Sequence, residues 1–486
     1  MDERAGARLK RAGVGLGAVI ATAFLAHVVV GMTTRISPPA IAALDSTAIT
    51  EDHGVRRIGT SYERMRAGVR EVYLEGSPER IGSAHARLLR EEMIDDENAL
   101  WGDFEHFVPV AAARALMMDL GRVRYRDVDR GMPSAGAREL AAEAAGFQPD
   151  PFASRLPTYH RQVFLHALYD IALSFEHSPL IGCSAFVLGP GITTDGHTLL
   201  ARAFDFEAGE EFDRDKAVFF VRGEDGVIPF ASVAWPGLVG VMTGMNAEGV
   251  AVVVNGARAR EPRTEGEPVV FALRDVMERA HDVDEAIAIL KAQPVMVSHL
   301  VMVADARGRS AIVERAPGVD AFVRATSDPD RVALTNHFEG PLASDPRNQT
   351  VIAHTTTLAR RARVDEMLAH VGPHEADVNR VVAMLRDHEC AGGVACALGD
   401  RRTIDALIAT HGIVADTTAR VLWVSAGPHL SGAFVRFDLN AIFARDHDPS
   451  RDPAPLVIAE DAILHDGRYA TGRANAGGPR VGGDAR

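Results

Sequence analysis

Apolar residues along this chain follow two different periods, and the change falls near Gly182. Upstream, they recur three and four positions apart, the spacing of one helix face. SPERIGSAHARLLREEMIDDENALW (77–101) opens with Ser77 ahead of Pro78 and Glu79, a helix-start signal. TYHRQVFLHALYDIALSF (158–175) predicts a second long amphipathic helix. Downstream, the pattern shortens into β-rich runs: AFVLG, HTLLARAFDF, KAVFFVRG, VIPFASVAW, GLVGVMTGMN and GVAVVVNGA. TTDG, GEDG and NAEG separate some of them and carry hairpin-turn chemistry. A helix over 270–292 follows, then strands in HLVMVADARG, SAIVERAP and RVALTNHF. Two more helices (355–371 and 377–388) lead to a last strand pair, ARVLWVSAG and GAFVRFDL.

Strand runs with helices in blocks between them predict an α+β fold of antiparallel sheets layered with helices, rather than alternating βαβ units. The first residues add another element. Arg4, Arg8, Lys10 and Arg11 precede GVGLGAVIATAFLAHVVVGM, a run without formal charge and as long as a bilayer-crossing helix. No convincing small-x-small cleavage site stands before Arg35, so this stretch reads as an uncleaved signal anchor. Its basic flank would stay in the cytoplasm and the body would be extracytoplasmic. The expected organisation is therefore an anchor at 1–33, a linker at 34–61, a helical segment at 62–182, a catalytic domain at 183–466 and a disordered tail at 467–486.

Composition narrows the function. The 486 residues carry a net charge of −14, which argues against a broad nucleic-acid surface. Three cysteines make no disulfide framework, although Cys390 and Cys396 are placed to pair with each other and leave Cys183 free. Neither GxSxG nor HExxH occurs, and no metal or cofactor is called for.

Cys183 is the residue that carries chemistry. It follows Gly182 and starts a strand, and one basic and one acidic side chain, Arg202 and Asp205, arrive together in LLARAFDFE. With no side chain, Gly182 leaves its carbonyl open to a backbone nucleophile. Attack by the Cys183 thiol, then hydrolysis of the thioester, would free the Cys183 α-amine. An α-amine titrates at about 7.7–8.0, so one residue can supply both nucleophile and base. Arg202 and Asp205 are three apart, which places them on opposite strand faces unless a bulge or strand end intervenes. Asn255 and Asn336 each end a β-branched run, where a side-chain amide can face a pocket; Asn246 sits in a turn and reads as its cap. Phe186 and Phe204 are candidates to line an apolar acyl pocket, with alternation making at least one of them core. The turn at Trp235 either shapes a pocket wall or ends a strand.

GCSAFVLGPGITTDGHTLLARAFDFE, followed by WPGLVGVMTGMNAEGVAVVVNGA, resembles the acyl-coenzyme A:6-aminopenicillanic acid acyltransferase-like branch of N-terminal nucleophile hydrolases. Choloylglycine hydrolases are more distant relatives. The likeness runs from about Tyr73 to Leu439 and includes LTNHF and TLARRAR. It implies a four-layer αββα sandwich, cleavage between Gly182 and Cys183, and Cys183 as nucleophile and base. By position, Arg202 and Asp205 match the pair beside thiol and amine. Asn255 matches an oxyanion-hole asparagine, Asn336 an asparagine near the amine, and Arg360 (with Arg361 and Arg363 close by) an arginine supporting the nucleophile. Ala203 departs from the polar residue common in relatives. The implied protein takes an N-acyl small molecule, hydrolysing it or passing its acyl group on, and after cleavage consists of two chains held to a membrane. The alternative is an unprocessed, membrane-anchored binding or structural protein on the same scaffold.

Overall fold

The computed structural model describes residues 3–44, 46–175, 181–206, 209–224 and 226–476. It opens with a helix, Glu3–Thr33, and then enters strands that the helical reading of the N-terminal third did not anticipate. These are β1 (Thr50–Asp52), β2 (Val55–Ile58), β3 (Ser61–Arg66) and β4 (Val69–Glu75). Two-residue turns join β1 to β2 and β3 to β4, with His53–Gly54 and Ala67–Gly68 all at positive φ. That backbone matches the twist of a tight hairpin. The segment at 34–61 is thus partly sheet, and that at 62–182 is helical only after Glu75.

Helices Pro78–Leu88, Arg90–Phe107, Ala111–Arg124, Ser134–Gly146, Thr158–His166 and Leu168–Leu173 complete the N-terminal part. The first is capped as its sequence predicts, with Ser77 Oγ accepting from the Arg80 amide. Then come β5 (Ile181–Leu188), β6 (Leu199–Phe206), β7 (Ala217–Arg222), β8 (Phe230–Ala234), β9 (Thr243–Asn246) and β10 (Ala251–Gly256). The helix expected over 270–292 is two, Val269–Arg279 and Val283–Ala292, because Asp282 caps the second through the Glu285 amide. Strands β11 (His299–Ala304), β12 (Ser310–Arg315), β13 (Phe322–Val323) and β14 (Arg331–Leu334) precede helices Thr357–Ala369 and Val378–Leu385. The chain closes with β15 (Ala409–Asp416), β16 (Val421–Ser425), β17 (Phe434–Asp438) and β18 (Val457–Ile458).

The strands form two sheets, ordered β1-β2-β3-β4-β7-β8-β9-β10-β11-β12-β13 and β14-β5-β6-β15-β16-β17-β18. Every pairing is antiparallel except β4 with β7. One core lies between the sheets, where Val187 and Leu200 meet Val218, Val253 and Met302. A second packs the outer face of the larger sheet against the N-terminal helices and the pair at 269–292. A third packs the smaller sheet, through Phe186, Ala201 and Ala203, against the helices at 357–369 and 378–385. Helices therefore cover both outer faces of a double sheet in this mixed α/β fold.

The N-terminal helix does not bear out the expected anchor. Among the described residues, no helix is long and apolar enough to cross a membrane. Its later turns instead make polar contacts with the helix Ala111–Arg124: His27 Nδ1 lies 2.7 Å from Asp119 Oδ2, and Arg122 Nη2 donates to the Gly31 carbonyl at 2.9 Å. The expected disordered tail does not begin at 467, since Arg468–Ala476 is helical; residues 477–486 lie outside the described residues. Cys390 and Cys396 form a disulfide, leaving Cys183 as a free, buried thiol.

Gly82 sets the closest helix contact. A Cβ there would stand 2.0 Å from the Glu139 carbonyl oxygen, backbone that cannot swing aside. Gly82→Ala is expected to destabilise the fold by at least the usual overpacking cost of about 1–3 kcal/mol. Thermal unfolding checks this, and an unchanged Tm contradicts it.

Candidate active site

Cys183 lies in β5 with Phe204 of β6 opposite it, and neighbouring Gly182 pairs with Asp205. The cysteine is wholly buried. Strand alternation places its side chain on the inner face, with Ala185 and Val187, and Ser184 and Phe186 on the outer face. Arg202 and Asp205 occupy opposite faces of β6, as their spacing predicts. They nevertheless address the same residue, Arg202 from the thiol side and Asp205 from beside Gly182.

On the inner face, Arg202 Nη2 lies 3.7 Å from Cys183 Sγ. The guanidinium is held by donating to the carbonyls of Met242, at 2.8 Å, and of Val254, and to Thr243 Oγ1. It also lies over the Phe204 ring, 4.2 Å from its centroid. Thr243 Oγ1 in turn bonds His411 Nε2 at 2.9 Å, and the His411 ring stacks on Phe204. Burial, aided by the Arg202 charge, holds His411 well below the usual imidazole range, so it is neutral. Burial pushes the Cys183 thiol up, with Arg202 pulling it back down.

On the outer face and at the backbone, the Cys183 amide donates to Asn336 Oδ1 at 2.9 Å. Asn336 is itself fixed: its Nδ2 donates to the Gly256 carbonyl at 2.9 Å and its Oδ1 accepts from Arg360 Nη2 at 2.7 Å. Arg360, from the helix Thr357–Ala369, also donates to the Cys183 carbonyl and, at 2.9 Å, to Ser184 Oγ. Its neighbours do other work, Arg361 pairing with Asp365 and Arg363 with Asp387. Asn255 reaches across from the larger sheet, its Nδ2 donating to the carbonyls of Cys183 at 3.3 Å and Thr335 at 3.1 Å.

Two cavities flank this arrangement. One, about 350 Å³, is lined by Tyr169, Phe204, Trp235 and Met242, with further walls from helices Arg90–Phe107 and Thr158–His166. The other, about 230 Å³, has apolar walls such as Val351 and Ile408 but also takes in Gly182, Asp205, Asn336, Arg258, Arg360 and Arg401. Phe204 faces Cys183 across the ladder and Gly182 precedes it, so the cysteine stands between an apolar and a cationic space.

The structure thus brings Cys183, Arg202, Asp205, Asn255, Asn336 and Arg360 together. Trp235 lines the apolar cavity with Phe204, its indole Nε1 donating to the Phe212 carbonyl at 2.7 Å. Phe186 does not line it, because alternation turns it into the core under helix Thr357–Ala369. Gly182 is not sterically forced: a Cβ there would meet Arg360 at 3.7 Å and Asp205 at 3.8 Å, ordinary contacts. Asn246 caps its turn, with Oδ1 accepting from the amides of Glu248 and Val250. Sequence reasoning missed Thr243, His411 and Tyr169, which reach the site from three separate segments and carry no local motif.

Comparison with known proteins finds similarity over part of the chain. The family model described as acyl-coenzyme A:6-aminopenicillanic acid acyl-transferase matches residues 192–404. An uncharacterized protein of Archaeoglobus fulgidus is 26% identical over 255 residues, covering 49% of this chain and 41% of that protein, less than half its length. Among solved structures, similarity is found to a Caenorhabditis elegans ortholog of N-acylethanolamine-hydrolyzing acid amidase, with 16% identity, 49% of this chain, 93% of that chain and a TM-score of 0.37. Penicillin V acylase from Agrobacterium tumefaciens gives 16% identity, 53% and 91% coverage and a TM-score of 0.31. A mutant conjugated bile acid hydrolase from Clostridium perfringens gives 13%, 57% and 97%, and 0.34. By sequence, residues 192–404 of this chain are similar to the acyl-coenzyme A:6-aminopenicillanic acid acyl-transferase family.

Proposed function

We propose that the protein is a self-cleaving cysteine amidohydrolase or acyltransferase of the N-terminal nucleophile type, acting on N-acyl small molecules through a thioester at Cys183. The observation that carries this is the division of labour around one residue. The Cys183 thiol faces a guanidinium, and the Cys183 backbone nitrogen faces an anchored carboxamide oxygen.

In the first step Sγ attacks the Gly182 carbonyl carbon. The C–S bond forms, the Gly182–Cys183 C–N bond breaks, and the thiol proton passes to the departing nitrogen. Water then hydrolyses the thioester to a Gly182 carboxylate and restores the thiol. The new α-amine inherits the acceptor Asn336 Oδ1, which Arg360 and the Gly256 carbonyl hold in place. In turnover the amine accepts the thiol proton, and Arg202 stabilises the thiolate as it attacks the substrate amide. The proton returns to the leaving amine, and water or a second amine takes the acyl group. Asn255 Nδ2 would donate to the oxyanion by exchanging one of its two carbonyl partners, a charge-stabilising role of the usual kind. An apolar acyl group fits the cavity at Phe204 and Trp235, and the leaving amine fits the cationic side.

Cleavage would not release the N-terminal piece. Strand β4 runs parallel to β7 inside the larger sheet, with Arg70–Glu75 in register with Ala217–Arg222. Separation would break that ladder and expose its apolar face. The two pieces are expected to co-elute on size exclusion under native conditions and to part only in denaturant; separate native elution contradicts this.

The test of function is incubation with a panel of N-acyl amides, followed by mass analysis of the peptide that starts at Cys183. An acyl adduct on that cysteine, lost on dilution into water or an amine, is the expected result. Turnover without an adduct in either state would contradict the thioester.

A further inference from the structure

The apolar cavity contains polar groups that an unsubstituted acyl chain leaves unused. Asp96, on helix Arg90–Phe107, is 5% exposed, and neither carboxyl oxygen has a hydrogen-bond partner among the described residues. Gln162, on helix Thr158–His166, is 3% exposed, and both ends of its carboxamide are likewise unpartnered. Both residues line the cavity beside Leu100, Phe104, Leu165 and Phe206. A buried polar group without a partner costs about 1–3 kcal/mol, and such groups are few in native proteins. Two in one cavity, from different helices, point to a ligand that satisfies them.

Resting on the proposed amidase reading, we infer that Asp96 and Gln162 select an acyl group bearing a hydroxyl or oxo substituent, rather than a plain hydrocarbon chain. Burial, reinforced by the charge of Asp215, pushes Asp96 up to about 9, so near neutral pH it holds its proton. A neutral carboxyl offers one donor and acceptor capacity, as does a carboxamide. That set matches a hydroxyl or a carbonyl oxygen. Glu97, beside Asp96, is already committed to Trp101 Nε1 at 3.0 Å and to Arg161 at 2.5 Å. The Tyr169 hydroxyl, also unpartnered, lies in the field of Cys183 and belongs to the reacting end.

The test uses the full chain and a series of N-acyl amides of one length, unsubstituted or with a hydroxyl at successive carbons. The expected result is a position at which the hydroxyl raises kcat/KM by about 10-fold, the worth of one or two good hydrogen bonds. Asp96→Leu should erase that ratio, Gln162→Leu reduce it, and Asp96→Asn, which keeps a donor and an acceptor, retain it. A wild type that favours the unsubstituted chain throughout, or a ratio unmoved in both leucine variants, would overturn the inference. Calorimetry with the free hydroxy and plain acids reads the cavity without turnover. If no amide is hydrolysed and the hydroxy acid still binds tighter in an Asp96-dependent way, the amidase reading fails and the cavity assignment stands. Equal binding of both acids overturns the assignment.

Discussion

Cys183→Ala is expected to abolish amide turnover, with a loss on the order of a million-fold, the scale at which removal of a nucleophile leaves only binding and oxyanion effects. The fold should survive. Cys183 is a buried side chain beside Phe204, and trimming its sulfur takes away only its contact with Arg202 among the hydrogen bonds of the site. Its amide still donates to Asn336, and its carbonyl still accepts from Arg360 and Asn255. Steady-state hydrolysis of the best amide from the panel, beside a thermal melt, separates lost chemistry from lost structure. A variant that keeps more than a trace of activity with its Tm intact would place the nucleophile elsewhere.

Arg202→Met should affect both chemistry and stability. The guanidinium is fully buried and donates to Thr243 Oγ1 and to the carbonyls of Met242 and Val254. Methionine fills similar space but returns none of these bonds; Thr243 Oγ1 keeps His411 Nε2 and the Met242 carbonyl keeps the Val254 amide, so the expected loss of stability is about 1–3 kcal/mol in all. It also removes the positive charge that draws the Cys183 thiol down against the upward push of burial. The thiol should therefore titrate higher in the variant, and its alkylation by iodoacetamide should need a more alkaline pH. Activity should fall by about 10²–10³-fold, as for loss of one preorganised charge-stabilising donor. Arg202→Lys, which keeps the charge but not the planar fork, should lie between. An alkylation profile that does not move in Arg202→Met would show that the 3.7 Å contact leaves the thiol untouched.

The strands around Cys183 were legible because they are short, apolar and bounded by turn residues. Strands β5 to β12 fall where the alternation and the TTDG and NAEG turns put them. The first four strands were opaque for a physical reason. Their inward positions carry a buried polar cluster in which Tyr62 donates to Glu71 at 2.8 Å and Arg64 Nε does so at 3.0 Å, so charge stands where apolar residues would mark a core face. Strand β15 was missed because ATHGIVAD mixes small and polar residues. Gly412 is small because Leu430 packs against it, and His411 is polar because Thr243 meets it from the other sheet. Cys183 stood out because it follows Gly182 and opens a strand, and Arg202 and Asp205 because they arrive together in LLARAFDFE, although their spacing by itself set them on opposite faces. Asn255, Asn336 and Arg360 could not be assembled that way; only family resemblance joined segments that the fold brings together. Phe186 and Phe204 differ by strand parity alone, and the fold decides which one the cavity receives.

The most direct measurement is the intact mass and N-terminal sequence of the purified wild-type chain, beside Cys183→Ala. The account predicts two wild-type fragments, the larger beginning at Cys183 with a free α-amine, and a single uncut chain in the variant. An active wild type that remains one chain would contradict it, because Cys183 would then have no amine to act as its base.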